Sequence, residues 1–148
     1  MLVDIFYNIF ERDLKKLKAE IELYQHDDKI WYTQKNIANS AGNLCLHLVG
    51  NLNTYIGAEL GKTGFVRNRD LEFSAKDIPK ATLLAQIEDT IDMIGKTLRG
   101  ITDEEINREY PQNVLGYQMS TAYFLTHLAT HLSYHLGQIN YHRRLLDE

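Results

Sequence analysis

The chain has 148 residues, 44% hydrophobic and 24% charged, with 16 Lys and Arg against 20 Asp and Glu for a formal net charge of -4. That length suits one globular domain with a single core, and two prolines and nine glycines exclude a collagen, a low-complexity linker or a loop-rich sandwich. The acidic balance, with no dense basic stripe, argues against nucleic-acid binding, which draws on a surplus of Lys and Arg.

In chain order, the first segment places Val3, Tyr7, Phe10, Leu14, Leu17, Ile21 and Tyr24 at alternating steps of four and three. This is a helix with one apolar seam, its other faces carrying Glu11, Arg12, Lys15, Lys16, Lys18 and Glu22. Its start lacks the basic head, long apolar run and small-residue cleavage site of a signal peptide. A second helix is expected from about Asn36 to Leu60, with Ile37, Ala41, Leu44, Leu48 and Tyr55 on the same rhythm and Gly61 and Gly64 at its end. Cys45, on this segment, is the only cysteine and has no disulfide partner within the chain. A reducing cytoplasm is therefore the expected compartment.

The loop VRNRDLEFSAKD leads to Pro79, a residue suited to the first turn of a helix. A third helix follows, with Leu84, Ile87, Ile91, Ile94, Leu98 and Ile101 in step and Gly100 as a stop. Thr102 and Glu105 have the spacing of a capping box for a short extra turn. The last segment runs from about Ser120 to Leu146, its stripe formed by Leu125, Leu128, Leu132, His135, Ile139 and Leu146. No run approaches the ~18 apolar residues of a membrane span, so no membrane partner is expected. Four amphipathic helices bury their stripes most simply as a single-domain four-helix bundle, all-α, with long loops joining the helices.

Among six histidines, His127, His131 and His135 recur every fourth residue on the last helix and therefore share a face. Two readings stand. Such a pair converges on one ion at roughly 2.0–2.1 Å per nitrogen, or it sits at the polar edge of the apolar stripe. A third ligand has to come from another helix, and His47, in the apolar run between Leu44 and Leu48, is the candidate. His26 lies in the polar turn QHDD, and His142, in HRR near the end, reads as a cation complementing the helix dipole. Cys45 reads as a small buried apolar residue.

Several chemistries are excluded by what the sequence lacks. Position 132 is Leu where a HExxH protease needs its glutamate base. There is no nucleophile elbow, P-loop or dinucleotide-binding glycine pattern, and no paired Glu-x-x-His of the di-iron bundles.

A histidine in LHLVGNL followed far downstream by HLATHLSYHLGQI, together with the loop NRDLEF and the approach YPQNVLGYQMS, resembles the DinB-like superfamily of small bacterial four-helix metalloproteins. The resemblance covers nearly the whole chain. It implies a divalent metal such as zinc or nickel held by His47, His131 and His135, with Gly137 and Gln138 following and His127 left outside the ligand set. It also implies a homodimer packed through helices and a small-molecule substrate. Characterised members resemble transferases that use bacillithiol, mycothiol or another small thiol.

Three imidazoles leave a tetrahedral ion one open position, which is the catalytic rather than the structural arrangement. The leading expectation is thus metal-dependent transfer of a low-molecular-weight thiol to a small electrophile. The alternatives are a metal-dependent hydrolase and a non-catalytic metal-binding bundle. Gln138, three residues beyond His135, is a candidate partner for it. Asn43 and Asn51 flank His47 by a turn each, as its orienting neighbours or as part of a polar stripe. Trp31, with Tyr32, is a candidate aromatic wall or a core anchor. Arg69, with Asp70 and Glu72, either receives an anionic thiol or holds the long loop by ion pairs.

Overall fold

All four amphipathic segments fold as helices, and their seams face one another. The computed structural model describes residues 1–148. Its long helices are α1 (Leu2–Leu23), α2 (Ala41–Leu52), α4 (Lys80–Arg99) and α6 (Thr121–Leu146). Two short ones, α3 (Arg69–Ser74) and α5 (Asp103–Ile106), lie in the connections. A 3-10 turn covers Asp27–Trp31, and a π-helical turn, Asn53–Ala58, extends α2. β pairing is limited to two isolated bridges, Gln34 with Ile37 and Glu109 with Ser120. No helix is long and apolar enough to cross a membrane.

Helix ends follow local chemistry. α2 begins at Ala41, later than the expected Asn36, because the Ser40 hydroxyl accepts from the Asn43 N–H and fixes the start there. Pro79 stands just before the first helical residue of α4, where its carbonyl accepts from Thr82 and Leu83. The capping box of Thr102 and Glu105 is formed in both directions.

Phe10, Leu14, Leu17 and Ile21 of α1 close on Leu83, Ile87, Ile94 and Leu98 of α4 and on Leu125, Leu128, Leu132 and Ile139 of α6, all essentially without solvent exposure. Each such side chain stabilises the fold by roughly 1.5–3 kcal/mol, so together they fix how the helices face. Glu20 of α1 adds a polar tie to α6, accepting from Arg143 Nε at 2.7 Å and Asn140 Nδ2 at 2.7 Å.

Two histidine placements differ from the expectation. His135 is half-exposed at the edge of the α6 stripe, where it faces α2 instead of the core. His142, read as a helix-end cation, is only 4% exposed. Its Nε2–H donates to the Tyr32 carbonyl at 2.8 Å, and its Nδ1 accepts from the Tyr24 hydroxyl at 2.6 Å. With both nitrogens engaged and burial lowering its pKa, it is a neutral structural pin.

Candidate metal centre

α2 and α6 run antiparallel and supply the two sides of the site. His47 and His131 approach with their Nε2 atoms 3.2 Å apart, and His131 and His135 with theirs 3.1 Å apart. One donor atom from each ring lies within 4.8 Å of those of the other two. The i, i+4 spacing on α6 makes the second of these contacts, and burial of His47 between α2 and α6 makes the first.

Protonation sharpens the picture. His47 Nδ1 lies 3.0 Å from Glu72 Oε1 and donates to that carboxylate. His135 Nδ1 lies 2.7 Å from Gln138 Oε1 and donates in the same way. Both Nε2 atoms therefore present lone pairs to the site, and a single proton on His131 Nε2 satisfies only one of them. Burial lowers the pKa of His47, with Glu72 acting in opposition. It lowers His131 further, to about 4, aided by the neighbouring His135 and His47. These two rings are consequently neutral at pH 7 and offer ligand nitrogens, not charges.

With the His131 proton on Nδ1 instead of Nε2, three lone-pair nitrogens at such separations fit a divalent cation. Bonds of roughly 2.0–2.1 Å in a tetrahedron place neighbouring nitrogens about 3.3–3.4 Å apart, close to the two spacings seen here. Imidazole suits zinc, nickel, copper and iron alike.

Behind His47 lies a clasp that sequence reasoning assembled only in part. Arg67 donates through Nε to Glu72 Oε2 at 2.8 Å and through Nη2 to Glu72 Oε1 at 3.0 Å. The bidentate pair is buried, with side-chain exposures of 13% and 7%. Glu72 thus joins the loop arginine to the α2 histidine. Gly50, one turn from His47, leaves room for it, since a Cβ there would overlap the Glu72 carboxylate. A glycine inside an otherwise apolar helix was the available signal for that close approach.

The remaining candidates separate clearly. Gln138 meets His135, as its spacing suggested. Asn43 makes no hydrogen bond to His47: its amide donates to the Glu72 and Ala75 carbonyls, both at 2.9 Å, and so ties α3 to α2. Trp31 is a core residue packed against Gly42, and the rings beside the cluster are Phe73, 5.0 Å from His47, and Tyr134, 5.3 Å from His135. Arg69 is exposed on α3, and the arginine of the site is Arg67, two residues earlier. His127 stacks on Phe124 at 5.8 Å and stays outside the cluster. Cys45 is fully buried, and burial pushes its thiol up to about 12, so it is inert.

A family described as "Protein of unknown function (DUF1572)" matches residues 6–148. Among solved structures, YfiT from Bacillus subtilis matches with a TM-score of 0.73 and 17% identity, over 96% of this chain and 86% of that one. It is described as a probable metal-dependent hydrolase with an unusual four-helix bundle topology. The shared bundle and the family match agree with the DinB-like resemblance. No curated protein matches the chain.

Proposed function

This chain belongs to the DUF1572 family, and we propose that it is a metal-dependent enzyme transferring a low-molecular-weight thiol to a small electrophile, with His47, His131 and His135 as ligands. The convergence of three imidazole nitrogens on one point carries the reading. When bound, a divalent cation there supplies Lewis acidity that lowers the pKa of a thiol or water in its open position.

The choice of thiol rests on what surrounds the ligands. Glu72, the carboxylate in contact with the cluster, already accepts from both Arg67 and His47, so it is not free to take a proton from a nucleophile. A thiol has a pKa near 8.5 against 15.7 for water, and so needs far less help to ionise. Its proton goes to solvent, its sulfur forms the bond to the electrophilic carbon, and the leaving group departs with the electron pair. Half-exposed His131 and His135 leave the approach open. Gln138, which holds His135 from behind, also lines a hollow of about 350 Å³ with Asn36, Asn39, Leu44 and Tyr141. Hydrolysis is the second reading, favoured by the description of YfiT.

Zinc- and nickel-loaded protein assayed with bacillithiol, mycothiol and cysteine against alkyl halides, epoxides and esters separates the two. Thioether formation that disappears in His131→Ala is the expected result. Ester cleavage independent of thiol would overturn transfer in favour of hydrolysis, and metal retention without turnover across the panel would overturn both.

A further inference from the structure

Two of the three cluster histidines have a partner for the nitrogen that faces away from the site, Glu72 for His47 and Gln138 for His135. The third has none: His131 Nδ1 is buried without a hydrogen-bond partner. Histidines that bind metal nearly always donate this N–H to a neighbour, which fixes the tautomer and aims the ring. A buried polar atom left unpaired costs about 1–3 kcal/mol.

A second orphan of opposite character belongs to the facing helix. Asn51 is 8% exposed, and its Oδ1 is buried with no donor. An imidazole that binds through Nε2 carries a proton on Nδ1, and a carboxamide oxygen accepts one. Helix register brings the two together. His47 of α2 meets His131 and His135, whereas Tyr55, two turns further along, packs on Phe124 at 5.3 Å. Asn51 is midway between His47 and Tyr55 and shares their face. It is therefore opposite the stretch of α6 between Phe124 and His131.

We infer that Asn51 is the positioning residue for His131, its Oδ1 accepting the Nδ1 proton, directly or through one bridging water, when Nε2 of that ring binds a cation. The inference rests on the cluster being a cation site. Every ligand then has its own acceptor: a carboxylate for His47, a carboxamide from the same helix for His135, and a carboxamide from the opposite helix for His131. Asn51 serves a different histidine from the one its place in the sequence suggested, because Glu72 already holds His47. Thr54 Oγ1, also buried and unpaired, lies in the π-helical turn next to Tyr55, the residue that packs on Phe124.

Zinc affinity of the wild type and of Asn51→Leu, Asn51→Ala, Asn51→Asp and Thr54→Val is measured by competition with a chromophoric chelator, with melting temperatures recorded with and without zinc. Loss of such a partner typically weakens metal binding about 10–100-fold, and that loss is expected for Asn51→Leu and Asn51→Ala. Asn51→Asp keeps an acceptor oxygen and stays within about threefold of wild type by the same argument. The metal-free melting temperature of Asn51→Leu is unchanged or raised, since an unpaired buried group is removed. A merely structural asparagine would instead lower it, with no selective effect on zinc. Nitrogen-15 spectra of zinc-loaded wild type show a slowly exchanging His131 Nδ1–H that Asn51→Leu lacks. Equal zinc affinity in wild type and Asn51→Leu overturns the role of Asn51 alone, as does a loss seen only in Thr54→Val. Wild type that takes up no zinc or nickel overturns the cation site itself.

Discussion

Glu72 connects three parts of the chain that sequence separates, His47 on α2, Arg67 in the loop and its own helix α3. Its carboxylate fixes the His47 tautomer, and its pairing with Arg67 makes a buried negative charge tolerable. Glu72→Gln retains an oxygen to accept from His47 but strands the Arg67 guanidinium. Zinc affinity is expected to fall about 10–100-fold, measured by chelator competition, and unchanged affinity would show that the clasp only anchors the loop. The His-x-x-x-His spacing and the Gln three residues on were legible because a helix fixes which residues are neighbours. Arg67 was not legible. It precedes α3, so no periodicity told it from Arg69, and only the fold aims one inward and leaves the other in solvent.

Helix phase set most of the seams, and it misplaced residues where a stripe meets an edge. His135 follows the rhythm of Leu128 and Leu132 yet lies half-exposed, because a stripe wide enough to pack also borders the cleft between helices. His142 errs in the other direction. Proximity to the end of α6 suggested a solvated cation, but α1 and the chain after the 3-10 turn fold over it, with Tyr24 and the Tyr32 carbonyl as partners and Asp147 the nearby charge. The short helix α3 escaped detection because six residues hold too little pattern to read.

Burial gives this element-scale packing a pH signature. In the metal-free protein His47, His131 and His142 all have pKa values below the ordinary 6.5. Above pH 6.5 both folded and unfolded chains are neutral at these positions and stability is intact. As pH falls below it, the unfolded chain takes up protons that the folded chain refuses, so stability drops until the folded values are reached. Each histidine contributes at most about 1.4 kcal/mol per pH unit. Urea denaturation of the metal-free protein between pH 7.5 and 5 is expected to show this decline, shallower in His142→Gln by up to one proton. Equal slopes would mean that His142 titrates normally in the folded state.

At the scale of the whole molecule, the bundle brings residues from its second and last long helices to one point with their lone pairs facing. The fold class was readable from four apolar stripes. The meeting of His47 with His131 and His135 was foreshadowed too, by the apolar run that holds His47 and by the helical spacing of the other two. The clasp and the hollow beside Gln138 depend on how long loops return to the helices, which no local pattern encodes.

We propose that His47, His131 and His135 together hold one divalent cation. Elemental analysis of protein purified without a histidine tag, alongside His131→Ala and His135→Ala shown by circular dichroism to remain helical, tests it most directly. Close to one metal ion per wild-type chain and near-complete loss in both variants are expected. Equal metal content in all three proteins, or none in the wild type after incubation with zinc or nickel, would contradict it.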